Sequence, residues 1–136
     1  MPERPKTVDA SRVDKPWGYE LRWATTERYL GKVLHVNKGE ALSLQYHERK
    51  DEYQYIVNGV IDMELGGPDG KLAKHRMSAG DTLHIAPGTR HRITAVEDSD
   101  IFEVSTPEAT TWFASPTATG VPRRRPWPTL RLRRVE

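Results

Sequence analysis

Asn58-Gly59 separates two runs of alternating β-type residues, Glu52–Val57 and Val60–Leu65, and it narrows the local options sharply. Both residues tolerate positive φ, so the pair signals a tight hairpin joining the two strands. Seven further segments share the β character: Tyr19–Ala24, Tyr29–Val36, Ala41–Tyr46, Leu72–Met77, Thr82–Ile85, His91–Ala95 and Ile101–Ser105. Turn residues punctuate them, as in Asn37-Lys38-Gly39 and Gly66-Gly67-Pro68-Asp69-Gly70, and nothing offers a long helical pattern. Many short strands at regular spacing predict an all-β domain, a sandwich or barrel of the jelly-roll kind. A chain of 136 residues is large enough to bury a core as a single domain.

Composition excludes several classes of function. There is no cysteine, so thiolate metal sites and disulfide frameworks are unavailable. The net charge of +2 is unevenly placed. Six of the 21 basic residues (Arg123, Arg124, Arg125, Arg131, Arg133 and Arg134) lie in residues 121–136, against one acid, Glu136. Residues 1–120 hold 15 basic and 18 acidic side chains. A mildly acidic body argues against a nucleic-acid surface. Met1-Pro2-Glu3-Arg4-Pro5-Lys6 is followed by no apolar run, so no signal peptide is expected. No stretch approaches the roughly 20 apolar residues of a membrane helix. The expectation is a cytoplasmic protein with no membrane partner.

Four residues able to bind a metal fall inside two glycine-framed β segments. The first runs from Gly39 through Leu42-Ser43-Leu44-Gln45-Tyr46-His47 to Glu52 and closes at Asn58-Gly59. The second is Gly80-Asp81-Thr82-Leu83-His84-Ile85-Ala86-Pro87-Gly88-Thr89-Arg90-His91. Strand side chains alternate between faces, so Gln45 and His47 share one. Glu52 begins the next strand, with Gln54 and Ile56 continuing on its side. Pro87-Gly88 is a turn able to bring His91 opposite. If the two frames are facing β-hairpins, Gln45, His47, Glu52 and His91 converge on one divalent ion. Imidazole, carboxylate and amide donors suit zinc first, with manganese, iron, cobalt and nickel also compatible. His35, His75 and His84 stand outside the pattern and read as ordinary surface or core histidines.

The two segments resemble the paired motifs of the cupin superfamily, whose fold is a single-domain jelly-roll barrel, the double-stranded β-helix. Gly39 to Gly59 fits the first motif throughout, with Gln45 in place of its first histidine. Gly80 to His91 fits the second, except that Ala86 takes the proline position and Pro87 the next. Gln45 narrows the likeness, because Leu42-Ser43-Leu44-Gln45-x-His47 is similar to the type II phosphomannose isomerases, whose metal set is Gln, His, Glu, His. Lys15-Pro16-Trp17-Gly18, Lys32 and His91-Arg92-Ile93 match that branch too, while Glu48 and Ala95 depart from it. The likeness covers residues 15–107. It implies interconversion of mannose 6-phosphate and fructose 6-phosphate, or of a similar sugar phosphate, and a homodimer. Such chemistry needs a metal to polarise the sugar oxygens, a base to move a proton, and cations for the phosphate. Lys50, Lys32 and Arg92 are the expected cations, and Glu103 the expected acid or base. Trp17 reads as a packing anchor. Two other readings stand: a different metal-dependent cupin enzyme, such as a small-molecule dioxygenase, and a non-catalytic sugar-binding cupin.

Both ends differ from this body. Residues 1–14 are polar without apolar periodicity and read as a flexible arm. Ala109–Glu136 contains no Lys, Asp, Asn, Gln or Ile, but six Arg and four Pro, which forbid regular structure across most of it. Back-translated from the third base of each codon, Glu108–Val121 can yield Gly-Asp-Asp-Val-Val-Arg-Leu-Ala-Asp-Arg-Tyr-Gly-Arg, close to the terminal motif of the resembled isomerases. The tail, residues 108–136, therefore reads as a frameshifted terminus, and its arginines as unselected for any partner. No nucleotidyltransferase domain is present in this sequence, so no sugar-nucleotide synthesis is expected.

Overall fold

The computed structural model describes Arg4, residues 6–67 and 69–107, and the backbone of residues 112–113. Apart from those last two positions, the tail reading falls outside the described residues. Among the described residues eleven strands form: β1 (Ser11–Lys15), β2 (Gly18–Thr25), β3 (Leu30–Val36), β4 (Gln45–Tyr46), β5 (Glu52–Asn58), β6 (Val60–Gly66), β7 (Leu72–Ser78), β8 (Thr82–Ile85), β9 (His91–Ala95), β10 (Ser99–Ser105) and β11 (Trp112–Phe113). They make two antiparallel sheets, in the orders β1-β2-β3-β10-β5-β8 and β11-β4-β9-β6-β7. This is the all-β jelly roll expected from the spacing of strand and turn residues. Among the described residues, no helix is long and apolar enough to cross a membrane.

Alternation along each strand explains why the sheets pack. Ile56 on β5, Ile61 and Met63 on β6, Ile93 on β9 and Ile101 on β10 all turn inward and are almost fully buried. Leu34, Val36, Met77, Leu83 and Ile85 complete one core between the sheets. Trp17 packs against that core as an anchor.

Two local expectations change. Asn58-Gly59 does not join a hairpin: β5 pairs with β10 and β8, whereas β6 pairs with β9 and β7. The turn instead carries the chain from one sheet to the other. Residues 11–14, read as part of an arm, form β1 with Lys15 and pair with β2 from Ser11↔Arg22 to Lys15↔Gly18. The strand escapes an apolar-periodicity reading because it lies at a sheet edge, where both of its faces stay largely in water.

Gly59 shows how tightly the crossing is fixed. Its φ is +87°, and a Cβ there would lie 2.7 Å from Ser99 Cα and nearer still to the Asp98 carbonyl and Ser99 hydroxyl oxygens. Gly59→Ala is expected to cost about 3 kcal/mol, combining left-handed strain with overpacking. Gly39 has a similar φ of +83° but open space around it. Gly39→Ala should therefore cost only the strain, about 1–2 kcal/mol. Urea midpoints of the two variants check the difference.

Candidate metal centre

Each glycine-framed segment gives one strand to each sheet, β4 and β5 from the first, β9 and β8 from the second. The candidate ligands therefore meet between the sheets. Gln45 on β4 faces His91 on β9 in register. The loop after β4 presents His47, and the Gly88 amide donates to the His47 carbonyl at 2.6 Å, docking the Pro87-Gly88 turn onto it. Glu52 opens β5 between Ser105 on β10 and Ile85 on β8.

The geometry is that of a small cage. His47 Nε2 lies 3.3 Å from Glu52 Oε1, and His91 Nε2 lies 3.7 Å from Glu52 Oε2. One candidate ligand atom from each of the three residues falls within 4.8 Å of the others. His91 Nδ1 donates to the Thr89 carbonyl at 2.9 Å, which leaves Nε2 of the neutral ring as a lone pair aimed at Glu52. Burial lowers the His91 pKa, against the opposing pull of the Thr89 hydrogen bond and the Glu103 charge. The ring is thus held in its ligand form.

Glu52 shows what the cage is suited to hold. Its carboxyl is 2% exposed and its Oε2 has no hydrogen-bond partner. Burial first, and then the neighbouring Glu103 charge, push its pKa up to about 8, despite Lys50 and Lys32. A buried carboxylate between two imidazole nitrogens, with one oxygen unsatisfied, calls for a cation. The donor set of nitrogen and oxygen atoms fits a first-row divalent ion.

The sign of the Glu52 shift gives a pH dependence. Without metal, the folded chain retains a proton there that the unfolded chain releases above its ordinary carboxylate value of 4.5. Metal-free stability is therefore expected to fall as pH rises from 4.5 to about 8. Metal competes with the same proton, so metal affinity should rise across that window. Thermal melts of chelated protein check the first trend, and Glu52→Gln should remove that contribution to the slope.

A cavity of about 680 Å³ opens onto the cage, lined by Gln45, Lys32, Lys50 and Glu103 besides the three clustered residues. Lys50 Nζ is 3.9 Å from Glu52 Oε1, and Lys32 Nζ is 3.5 Å from Glu20 Oε1. Glu103 stands between Lys32 on β3 and Gln54 on β5 in register. Arg92 also borders the cavity, but its guanidinium makes two 2.9 Å bonds to Glu64 across the β6–β9 pair. That pairing leaves the expected phosphate cation largely neutralised.

Three cavity residues carry roles that the motifs do not assign. Gln54 is buried, donates to Glu103 Oε1 at 2.9 Å and leaves its own Oε1 unpaired. The two-residue step from Glu52 is the signal that places it. Glu20 and Arg22 on β2 also line the cavity, with Arg22 Nε donating to Glu20 Oε2 at 2.7 Å. Burial raises the Glu20 pKa, but Arg22, Lys32 and Lys15 outweigh it and hold the carboxyl below its usual value. Outside the cavity, His35 and His84 pair with Asp100 and Asp51, as ordinary satisfied histidines do.

A two-sheet jelly roll holding a His/Glu/His cage between its sheets defines a metal-capable cupin. The chain belongs to the Cupin domain family, which its residues 32–105 match. It is 27% identical over 93 residues, 68% of its length, to mannose-1-phosphate guanylyltransferase 2 of Escherichia coli, and spans 18% of that protein. It is 32% identical over 60 residues, 44% of its length, to acireductone dioxygenase of Bacillus pumilus, and spans 34% of it. Among solved structures, KdgF from Halomonas sp. superposes with a TM-score of 0.62 at 27% identity, covering 75% of this chain and 90% of that one.

Proposed function

We propose that this protein is a metal-dependent aldose–ketose isomerase acting on a sugar phosphate, with mannose 6-phosphate and fructose 6-phosphate as the first pair to test. The observation that carries the reading is Glu103, a buried carboxylate held by Gln54 in the same cavity as the cage and two lysines. Gln45, His47, Glu52 and His91 would hold one divalent ion, zinc first by donor chemistry. A bound ion would polarise the sugar's carbonyl and hydroxyl oxygens.

The remaining work falls to side chains of this chain. Glu103 takes a proton from C2, beside the carbonyl, and returns it to C1, the former carbonyl carbon, while the proton of the C2 hydroxyl passes to the C1 oxygen as C2 becomes the ketone. Gln54 keeps that carboxylate turned into the cavity through its amide. Lys50, beside the cage, stabilises negative charge as it develops on the sugar oxygens. Lys32, with Arg22 further out, offers the positive end of the cavity to the phosphate. Likeness to a mannose-1-phosphate enzyme supports a phosphorylated sugar.

A second reading, a small-molecule dioxygenase, draws on the likeness to acireductone dioxygenase. Zinc-loaded protein given mannose 6-phosphate, with fructose 6-phosphate and dissolved oxygen followed together, separates the two. Isomerase chemistry gives the ketose with oxygen unchanged. Oxygen uptake by the iron-loaded protein with an oxidisable substrate, and no ketose from the zinc form, would favour the second reading. Sugar-phosphate binding without turnover would leave a non-catalytic sugar-binding cupin.

A further inference from the structure

Four polar side chains of the cavity stand in one row across the six-stranded sheet. Gln54 on β5 pairs with Glu103 on β10, Glu103 with Lys32 on β3, and Lys32 with Arg22 on β2. All four line the cavity. The row runs across the strands, so its members are set apart by the interstrand spacing of about 4.8 Å. Leu30 and Leu34, two residues to either side of Lys32 on β3, line the same cavity and flank the row with apolar surface. The floor is a polar track between apolar walls, with a carboxylate toward one end and cations at the other.

The cations are held in fixed order along this track. The buried Glu20 carboxylate lies 3.5 Å from Lys32 Nζ through Oε1 and accepts from Arg22 Nε at 2.7 Å through Oε2. One acid therefore spaces both positive groups. The Lys32 side chain is 15% exposed and lies inside the cavity, whereas that of Arg22 is 47% exposed and marks the outer end. Because the bond to Glu20 uses Nε, the two terminal nitrogens of Arg22 can still fork onto a phosphate.

We propose that Arg22 sets the length of substrate this cavity accepts, by marking where the phosphate of an extended, open-chain sugar phosphate must end. The inference rests on the isomerase reading, in which Glu103 works at C2. From Glu103 it is one interstrand step to Lys32, about 5 Å, and two steps to Arg22, about 10 Å. An extended chain advances about 1.2 Å per single bond. In a six-carbon 6-phosphate the bonds from C2 to phosphorus cover roughly 7 Å, and one hydrogen bond of about 2.9 Å closes the gap to Arg22. In a four-carbon 4-phosphate they cover roughly 5 Å, so the phosphate stops beside Lys32. Both lengths meet Lys32, but only the longer one reaches the outer guanidinium. Lys32 thus serves binding of either length, and Arg22 determines specificity.

Calorimetric titration of the zinc-loaded full chain with mannitol 6-phosphate and erythritol 4-phosphate, open-chain probes that lack the carbonyl, tests this without turnover. The wild type is expected to bind the six-carbon probe about 10-fold or more tighter, the usual worth of a charge-assisted hydrogen bond. Arg22→Gln should shrink that preference by about 10-fold. Arg22→Lys, which keeps the charge without the fork, should restore part of it. Lys32→Gln should weaken both probes by similar factors. Urea midpoints and zinc content matching the wild type confirm that the variants fold. Equal binding of the two probes by the wild type, a preference that survives Arg22→Gln at full size, or failure of both probes to bind overturns the proposal. A preference lost in Arg22→Gln, in a protein that forms no fructose 6-phosphate from mannose 6-phosphate, sustains it and sinks the isomerase reading instead.

Discussion

Replacing Glu52 or His91 by alanine is expected to abolish tight divalent-metal binding. Outer partners of metal ligands typically cost about 10–100-fold in affinity when removed, and a direct donor should cost more. Glu52→Ala is the cleaner experiment. Its carboxyl is buried with one oxygen unsatisfied and a pKa near 8, so deleting it relieves a cost in the metal-free protein. That variant should fold at least as well as the chelated wild type near neutral pH while losing the metal. His91→Ala instead empties a buried ring position and breaks the bond to Thr89, so some stability goes with it. Metal content after dialysis reads the binding. The rise in melting temperature on adding zinc reads it a second way, since metal at 100 times its dissociation constant stabilises by about 2.7 kcal/mol. The wild type should show that rise, and Glu52→Ala should not.

The second large effect concerns Glu103. Glu103→Gln keeps the shape of the side chain and a hydrogen-bonding group for Gln54, but removes the basic oxygen. Turnover of the sugar phosphate is expected to fall by about 100- to 10,000-fold, the usual worth of a positioned general base. Metal content should stay at the wild-type level, and KM should change little, because Glu103 is not part of the cage. Gln54→Leu separates positioning from chemistry. It leaves the carboxylate in place without the 2.9 Å bond that turns it, so the pH profile of turnover should move while activity is only partly lost.

Much of the candidate site was legible because it rests on local chain geometry. Gln45, at the start of β4, and His47, in the loop just after it, line one cavity as their two-residue spacing suggested, and the Pro87-Gly88 turn delivers His91. What escaped the sequence depends on partners distant along the chain. Alternation tells which face a residue occupies but not which sheet its strand joins. Asn58-Gly59 therefore looked like a hairpin turn, although the ladder neighbour of β5 is β10, more than 40 residues later. The neutralisation of Arg92 follows from Glu64 lying opposite it on β6, a register that no local pattern fixes. Glu20 and Arg22 joined the cavity through the β2–β3 pairing in the same way. β1 was missed because a polar edge strand leaves no apolar trace.

The most direct test is proton exchange on the substrate. Zinc-loaded protein incubated with mannose 6-phosphate in deuterated water, followed by NMR, should place deuterium at C1 of the fructose 6-phosphate that appears and at C2 of the mannose 6-phosphate that is re-formed. Glu103→Gln should lose both signals, and Glu52→Ala should lose them together with the metal. Metal-saturated, folded wild-type protein that neither exchanges the C2 hydrogen nor forms the ketose would contradict the account.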